Sequence, residues 1–231
     1  MNDLKEMKNM KNPWEEIDLE IYESHMRLDS VMQLQAMNAI MKKQLEAYPA
    51  ATAMILGVAG GNGLEHIRRG KYHTVYGVDI NADYLRAVSE RYQELSGVLQ
   101  CLQIDLTKYA DQLPEAQLLI ANLLIEYIGY ASFQNAVLQV RPMYVSCVIQ
   151  INTYVQNWVS DSPYLHAFDR LDEIHHQMNE TELTAVMEII GYTCILKDSE
   201  SLPNGKALLR MDFCKNDIAE SDENLLYQQR R

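Results

Sequence analysis

Positive charge is scarce in this chain. Its 231 residues carry 20 lysines and arginines against 32 aspartates and glutamates, a net charge of −12. A nucleic-acid backbone is held through a basic face that neutralises phosphates, so the composition argues against nucleic acid as a partner. It argues equally against an anionic membrane surface. The local clusters Arg68, Arg69, Lys71 and Lys42, Lys43 read as solvated helix ends. Long apolar runs are also missing, and no stretch approaches the roughly 20 residues that span a bilayer. The amino-terminal stretch is polar and lysine-rich, with no apolar signal segment. Cysteine is sparse: Cys101, Cys147, Cys194 and Cys214 lie far apart and form no C-x-x-C pair. Buried free thiols are the expectation, not disulfides or a metal site. These absences predict a soluble, cytoplasmic protein. A hydrophobic content of 48% is ample for a core, and the length suits one domain with a small appendage. No internal repeat is visible, and a homodimer is left open.

Glycine is concentrated rather than plentiful. The chain has 10 glycines, and four of them, Gly57, Gly60, Gly61 and Gly63, fall within seven residues. They interrupt the apolar run Met54-Ile-Leu and precede an expected helix over about 63–70. Glycine lets a backbone turn sharply and lets a ligand lie against it. A helix N-terminus behind such a loop would offer unpaired N–H groups. The dinucleotide fingerprint G-x-G-x-x-G fits no frame: from Gly57 it meets Ala59 and Asn62, and from Gly61 it meets Gly63 and His66. The looser frame Gly57, Ala59, Gly61 fits. The β-rich run Thr74-Val-Tyr-Gly-Val-Asp79 then ends in an acid. Carboxylates at such strand ends bind ribose, because one carboxylate can accept from two neighbouring hydroxyls. A third strand ends at Asp105, and a fourth, Gln117–Asn122, runs into Leu-Leu-Ile-Glu126-Tyr127.

This set of motifs resembles class I S-adenosylmethionine-dependent methyltransferases over roughly residues 50–214. The resemblance implies a glycine loop of Gly57, Ala59 and Gly61 around the cofactor. It implies Asp79, with its neighbour Ile80, on the ribose, and Asp105, with its neighbour Leu106, on adenine. Asn122 would lie near the methionine portion. Two positions depart from the family pattern. Ala59 replaces the middle glycine, and Ile55 stands where the family carries an acid two residues before the first glycine. Without that acid, the methionine end must be held partly by other groups.

The chain is expected to be α/β, with a seven-stranded Rossmann-like sheet, mostly parallel, an antiparallel last strand, and helices on both faces. Residues 1–48 form an amino-terminal helical extension or lid, frayed to about Pro13. Ser30 and Gln33 are expected to make a capping box for a helix beginning at Val31, with Leu34, Met37, Met41 and Leu45 along one face. The domain proper runs over 49–214. Strands are expected at 52–57, 74–79, 99–104, 117–122 and 144–151, and helices at 82–95 and 131–140. The polar and aromatic segment 154–178 breaks this rhythm and reads as an insertion on the substrate side. Asn179 caps a helix that Gly191 ends. A hairpin of strands at Tyr192–Leu196 and Ala207–Cys214 closes the sheet, and the ordinary NAD fold does not end this way. Residues 215–231 read as a mobile tail.

Methyl transfer from a sulfonium mainly requires that the reacting atoms be held in line. A general base is needed only when the acceptor holds its proton tightly. Catalytic residues are therefore weakly encoded. Glu126 and Tyr127 follow strand four, where active-site groups lie. Tyr22 and His25 fall in the lid, and a histidine there could act as a base titrating near neutrality. His166, His175 and His176 lack the spacing of a metal motif, so no metal is expected. Asn122-Leu-Leu-Ile does not match the Asn/Asp-Pro-Pro-Tyr motif of amino-methylating DNA enzymes. The reading is methyl transfer to a small molecule. Two rivals stay open: a catalytically inactive S-adenosylmethionine-binding regulatory protein, and an NAD-linked oxidoreductase.

Overall fold

The computed structural model describes residues 11–152 and 158–216. Seven strands form one sheet: β1 Thr52–Leu56, β2 Thr74–Asp79, β3 Leu99–Gln103, β4 Leu118–Asn122, β5 Tyr144–Asn152, β6 Tyr192–Ser201 and β7 Lys206–Lys215. Their order is β3-β2-β1-β4-β5-β7-β6. The first five pair in parallel, and β7 runs antiparallel between β5 and β6. The expected sheet and its closing hairpin are therefore present. β6 extends to Ser201, beyond the five residues expected, and carries a bulge between Cys194 and Leu196.

The central strands are buried on both faces, as parallel strands between helical layers must be. Their side chains alternate with the period of two that a pleated strand imposes. Met54, Leu56, Leu119 and Ala121 point into one core, with α4 (Ile125–Val140) and α5 (Glu180–Ile189) supplying Phe133, Val137, Leu183 and Met187. Ala53, Ile55, Leu118 and Ile120 point into the other. There α2 (Gln33–Ala47) and α3 (Ala82–Arg91) supply Met41, Leu45, Leu85 and Val88. Asn179 caps α5 by accepting from Glu182 N at 2.8 Å. Gly191 follows that helix at φ 84°.

Two local expectations are corrected. The helix expected over 63–70 is a single 3-10 turn, Leu64–His66. Gly63 adopts φ 92°, and a Cβ there would sit 2.6 Å from Met41 Cγ. The slot against β1 is already filled by α2, so there is no room for a second helix. The Ser30–Gln33 capping box is also absent. Helix α2 starts at Gln33 after Met32, which is left-handed at φ 54° and makes no side-chain cap. The chain turns tightly from α1 (Leu19–Arg27), with Val31 N and Met32 N both donating to Leu28 O.

Before α1, Pro13–Glu15 form a 3-10 turn capped by Asn12, and Pro13 is buried. The expected helix at 131–140 is the regular part of α4, beyond a break at Gly129 (φ 72°). Within 154–178, Leu165–Glu173 form a 3-10 helix, while 153–157 lie outside the described residues. The tail expected at 215–231 lies outside them beyond Asn216.

Candidate functional site

Parallel strands with right-handed crossovers bring their carboxyl ends to one edge of the sheet, where ligands bind in such folds. The register places Leu56 beside Val78 and Ala121, and Asp79 beside Gln103. The residues just past these ends, Gly57, Ile80, Ile104 and Leu123, therefore emerge together. They line a cavity of about 700 Å³ with Ala59, Asp79, Asp105, Leu106 and Asn122. Seven of the eight residues expected around a cofactor meet here. Gly61 does not line the cavity. It packs outward, where a Cβ would sit 2.7 Å from the Tyr92 ring, and its carbonyl accepts from Tyr92 Oη at 2.8 Å.

Asp79 organises the loop. Its Oδ2 accepts from Ala59 N at 2.9 Å and its Oδ1 from Asn81 N at 2.9 Å. Each carboxylate oxygen has two lone pairs, so both keep acceptor capacity toward the cavity. Burial pushes this carboxyl above its ordinary value, and the backbone hydrogen bonds oppose that shift. Ala59 is held at φ 45° and Leu123 at φ 52°. Side chains other than glycine's occupy this region at a cost, and such residues gather at functional sites. Asp105 is tied locally. Its Oδ1 accepts from Thr107 N at 3.0 Å and Thr107 Oγ1 at 2.6 Å, and its Oδ2 pairs with Lys108 Nζ at 2.6 Å. These partners hold its carboxyl below the ordinary value, against the opposing pull of partial burial. The Asn122 amide exchanges two hydrogen bonds with fully buried Gln44, at 2.9 and 2.8 Å.

A second cavity of about 570 Å³ adjoins the first. The two share Trp14, Tyr22, Leu123 and Tyr127. All four candidate catalytic residues, Tyr22, His25, Glu126 and Tyr127, line the second cavity, with Trp158, Phe168 and His175. The walls are aromatic. Trp14 meets Tyr127 edge-on at 4.9 Å, and His175 stacks on Trp158 at 4.1 Å. Glu126 Oε1 accepts from Gln150 N at 2.8 Å. Glu126 Oε2 is buried and has no partner, alone in this among the described side chains. Burial raises the Glu126 carboxyl to about 7 and raises the Tyr22 and Tyr127 hydroxyls well above their ordinary value. The near-neutral titration expected of His25 is not found. Burial, with Lys206 nearby, lowers it to about 4, so the ring stays neutral, with Nδ1 2.7 Å from Ser162 Oγ.

The amino-terminal segment lies across both cavities. Asn81 Nδ2 donates to Trp14 O at 2.9 Å, and Tyr84 Oη donates to Ile17 O at 2.9 Å. Arg91 pairs with Glu23 of α1 and donates to Gly60 O at 3.1 Å, which clamps α1 over the glycine loop. Sequence reasoning missed Trp14, Gln44, Tyr84 and Gln150. Trp14 follows a polar stretch, and the other three reach the site by tertiary packing that leaves no local signal. Of the remaining histidines in 154–178, His166 is exposed and pairs with Asp169. Among the described residues no group of three or more His, Cys, Asp and Glu is placed to hold a metal.

No protein-family model and no curated protein matches the sequence. Solved structures do match in fold. The N-methyltransferase NodS from Bradyrhizobium japonicum, in complex with S-adenosylhomocysteine, superimposes with a TM-score of 0.58 at 10% identity, over 84% of this chain and 95% of that one. A cyclopropane synthase from Mycobacterium tuberculosis does so at 0.59 and 10% identity, over 83% and 88%. The cyclase SpnF does so at 0.61 and 9% identity, over 82% and 84%. These proteins catalyse different reactions, so the likeness speaks to architecture and not to chemistry. Strand order, antiparallel β7 and these neighbours agree that the chain has the fold of the class I, Rossmann-like S-adenosylmethionine-dependent methyltransferases.

Proposed function

We propose that this protein binds S-adenosylmethionine and transfers its methyl group to a small-molecule acceptor. One observation carries the reading. The cavity that gathers Gly57, Ala59, Asp79, Ile80, Asp105, Leu106 and Asn122 shares a wall of Trp14, Tyr22, Leu123 and Tyr127 with a second, aromatic cavity. The cavity offers what an adenosine needs: a buried carboxylate with spare lone pairs in Asp79, and apolar faces from Ile80, Ile104, Leu106 and Ile128. Asp105 would meet the edge of the base. Toward the glycine loop, the polar side chains besides the Arg91-paired Glu23 are Tyr22, Asn62 and Asn122. These are the groups on hand for the methionine end, where Ile55 replaces the family's acid. When bound, the cofactor supplies an electrophilic methyl carbon and leaves as a neutral thioether.

The protein's own task is then to position and exclude. Tyr22, Tyr127 and Trp14 form the partition between the cavities, and the 11–48 segment would act as the lid that keeps water out. Glu126 is the one group of the second cavity whose carboxyl is tuned near neutrality, which suits a proton acceptor. An open second cavity supports an enzyme over a catalytically silent cofactor-binding protein. Calorimetric titration with S-adenosylhomocysteine, with NAD as the control, tests the reading. Micromolar binding of the first and none of the second is expected. Binding of NAD alone would replace this function with a dehydrogenase reading.

A further inference from the structure

The aromatic cavity has a definite chemical polarity. Its described lining includes Trp14, Tyr22, Tyr127, Trp158 and Phe168, and it contains no arginine or lysine. Its one acid is Glu126, whose Oε2 is buried without a partner. A buried carboxylate oxygen left unpaired is costly, and a donor from a ligand removes that cost. Aromatic faces attract cations and stack on flat apolar bodies. Anionic ligands would meet the Glu126 charge with no compensating cation on the wall.

We propose that the acceptor is a primary or secondary amine on a flat or apolar body, with its N–H donating to Glu126 Oε2 and its body against Trp14, Tyr127 and Trp158. The inference rests on the methyltransferase reading for the fate of the amine, though not for its binding. The groups facing the carboxylate are compatible with it. His25 and His175 are held toward the neutral form by burial. Lys206 is buried behind the wall, where its Nζ donates to Trp158 O and to Ser160 Oγ at 3.0 Å. It fixes Trp158 in place and does not line the cavity. The proton is accounted for. One N–H proton of the bound ammonium passes to Glu126 Oε2, which frees the nitrogen lone pair, and the carboxyl returns it to solvent once the product leaves.

The chain has 2 tryptophans, and both line this cavity, Trp14 shared with the first cavity and Trp158 not, so intrinsic fluorescence read at a fixed S-adenosylhomocysteine concentration reports its occupancy. Matched probes, phenethylamine, 2-phenylethanol and phenylacetate, should be titrated into the full chain with and without S-adenosylhomocysteine. The amine should bind at least about tenfold more tightly than the alcohol, as expected of a hydrogen bond to a charged group, and phenylacetate should bind weakest. Glu126→Gln keeps an acceptor for Gln150 N and should erase the preference for the amine. Equal binding of amine and alcohol, or tighter binding of phenylacetate, would overturn the proposal. The wild-type ranking stands whether or not the variant folds. The two readings separate cleanly. Bound S-adenosylhomocysteine with no amine preference defeats the acceptor class alone. Amine preference without S-adenosylhomocysteine binding defeats the cofactor reading alone.

Discussion

Asp79 Oδ2 accepts the backbone N–H of Ala59 at 2.9 Å, across the gap between β2 and the glycine loop. One carboxylate thus shapes the loop and faces the space the loop encloses. The two roles can be separated by substitution. Asp79→Asn keeps an oxygen for only one of the two backbone N–H groups; with that oxygen on Ala59 N the loop should persist at the expense of the Asn81 contact, while affinity for S-adenosylhomocysteine falls about tenfold, the usual loss for one charge-assisted hydrogen bond. Asp79→Ala should lose affinity and melting temperature together. Calorimetry and thermal melting on the pair check this. Equal affinity in Asp79→Asn and wild type would remove Asp79 from the ligand.

The Glu126 carboxyl is raised from 4.5 to about 7 by burial. Between those values the folded protein holds a proton that the unfolded chain has lost. The stabilisation is therefore complete below about 4.5 and is lost as pH rises through about 7. The shift corresponds to about 3 kcal/mol over that window. Glu126→Gln cannot ionise, so the stability of the variant relative to wild type should climb across the same interval. Urea denaturation at several pH values measures the difference. Parallel profiles for the two proteins would show that Glu126 titrates normally.

The clamp over the glycine loop makes a second structural forecast. A Cβ on Gly60 would lie 2.1 Å from Glu23 Oε1 and 2.8 Å from Arg91 Nη1. Both are ends of flexible side chains, so Gly60→Ala should break the ion pair and leave the strand core intact. Faster dissociation of S-adenosylhomocysteine is expected, with a stability change of about 1 kcal/mol for a pair exposed at Arg91 and largely covered at Glu23. Glu23→Ala should have the same effect, and the double variant should add nothing further. Additive rates in stopped-flow measurements would mean that the clamp does not restrain α1.

Gln44 and Asn122 satisfy one another through two hydrogen bonds. Gln44→Leu would take both hydrogen bonds from the half-buried Asn122 amide, at about 1–3 kcal/mol for the pair. Chemical denaturation should show that loss. Adding Asn122→Leu should recover stability while weakening ligand binding, if the Asn122 amide faces the methionine end.

The strands were legible because burial on both faces writes continuous apolar runs such as Met54-Ile-Leu and Leu118-Leu-Ile-Ala, each closed by a polar or glycine residue. The strand-end residues Asp79, Asp105 and Asn122 were legible for the same reason. The helix expected after Gly63 was not formed because α2, more than 15 residues upstream in sequence, occupies its place; that is a tertiary fact with no local trace. Gly61 lies off the cavity lining, against Tyr92; spacing cannot tell a glycine that faces a ligand from one that makes room for a side chain. His25 was read with an ordinary titration because burial beside Lys206 is not written in its neighbours. Gln44 and Gln150 were invisible because each acts on a residue more than 20 positions away.

The central claim concerns where a ligand sits, and a crystal structure with S-adenosylhomocysteine tests it most directly. The account predicts ribose hydroxyls on Asp79, the adenine between Ile80 and Leu106 with its edge at Asp105, and the sulfur at the Tyr22–Tyr127 partition facing the aromatic cavity. S-adenosylhomocysteine bound elsewhere, or bound here with its sulfur turned from that partition, would contradict the account.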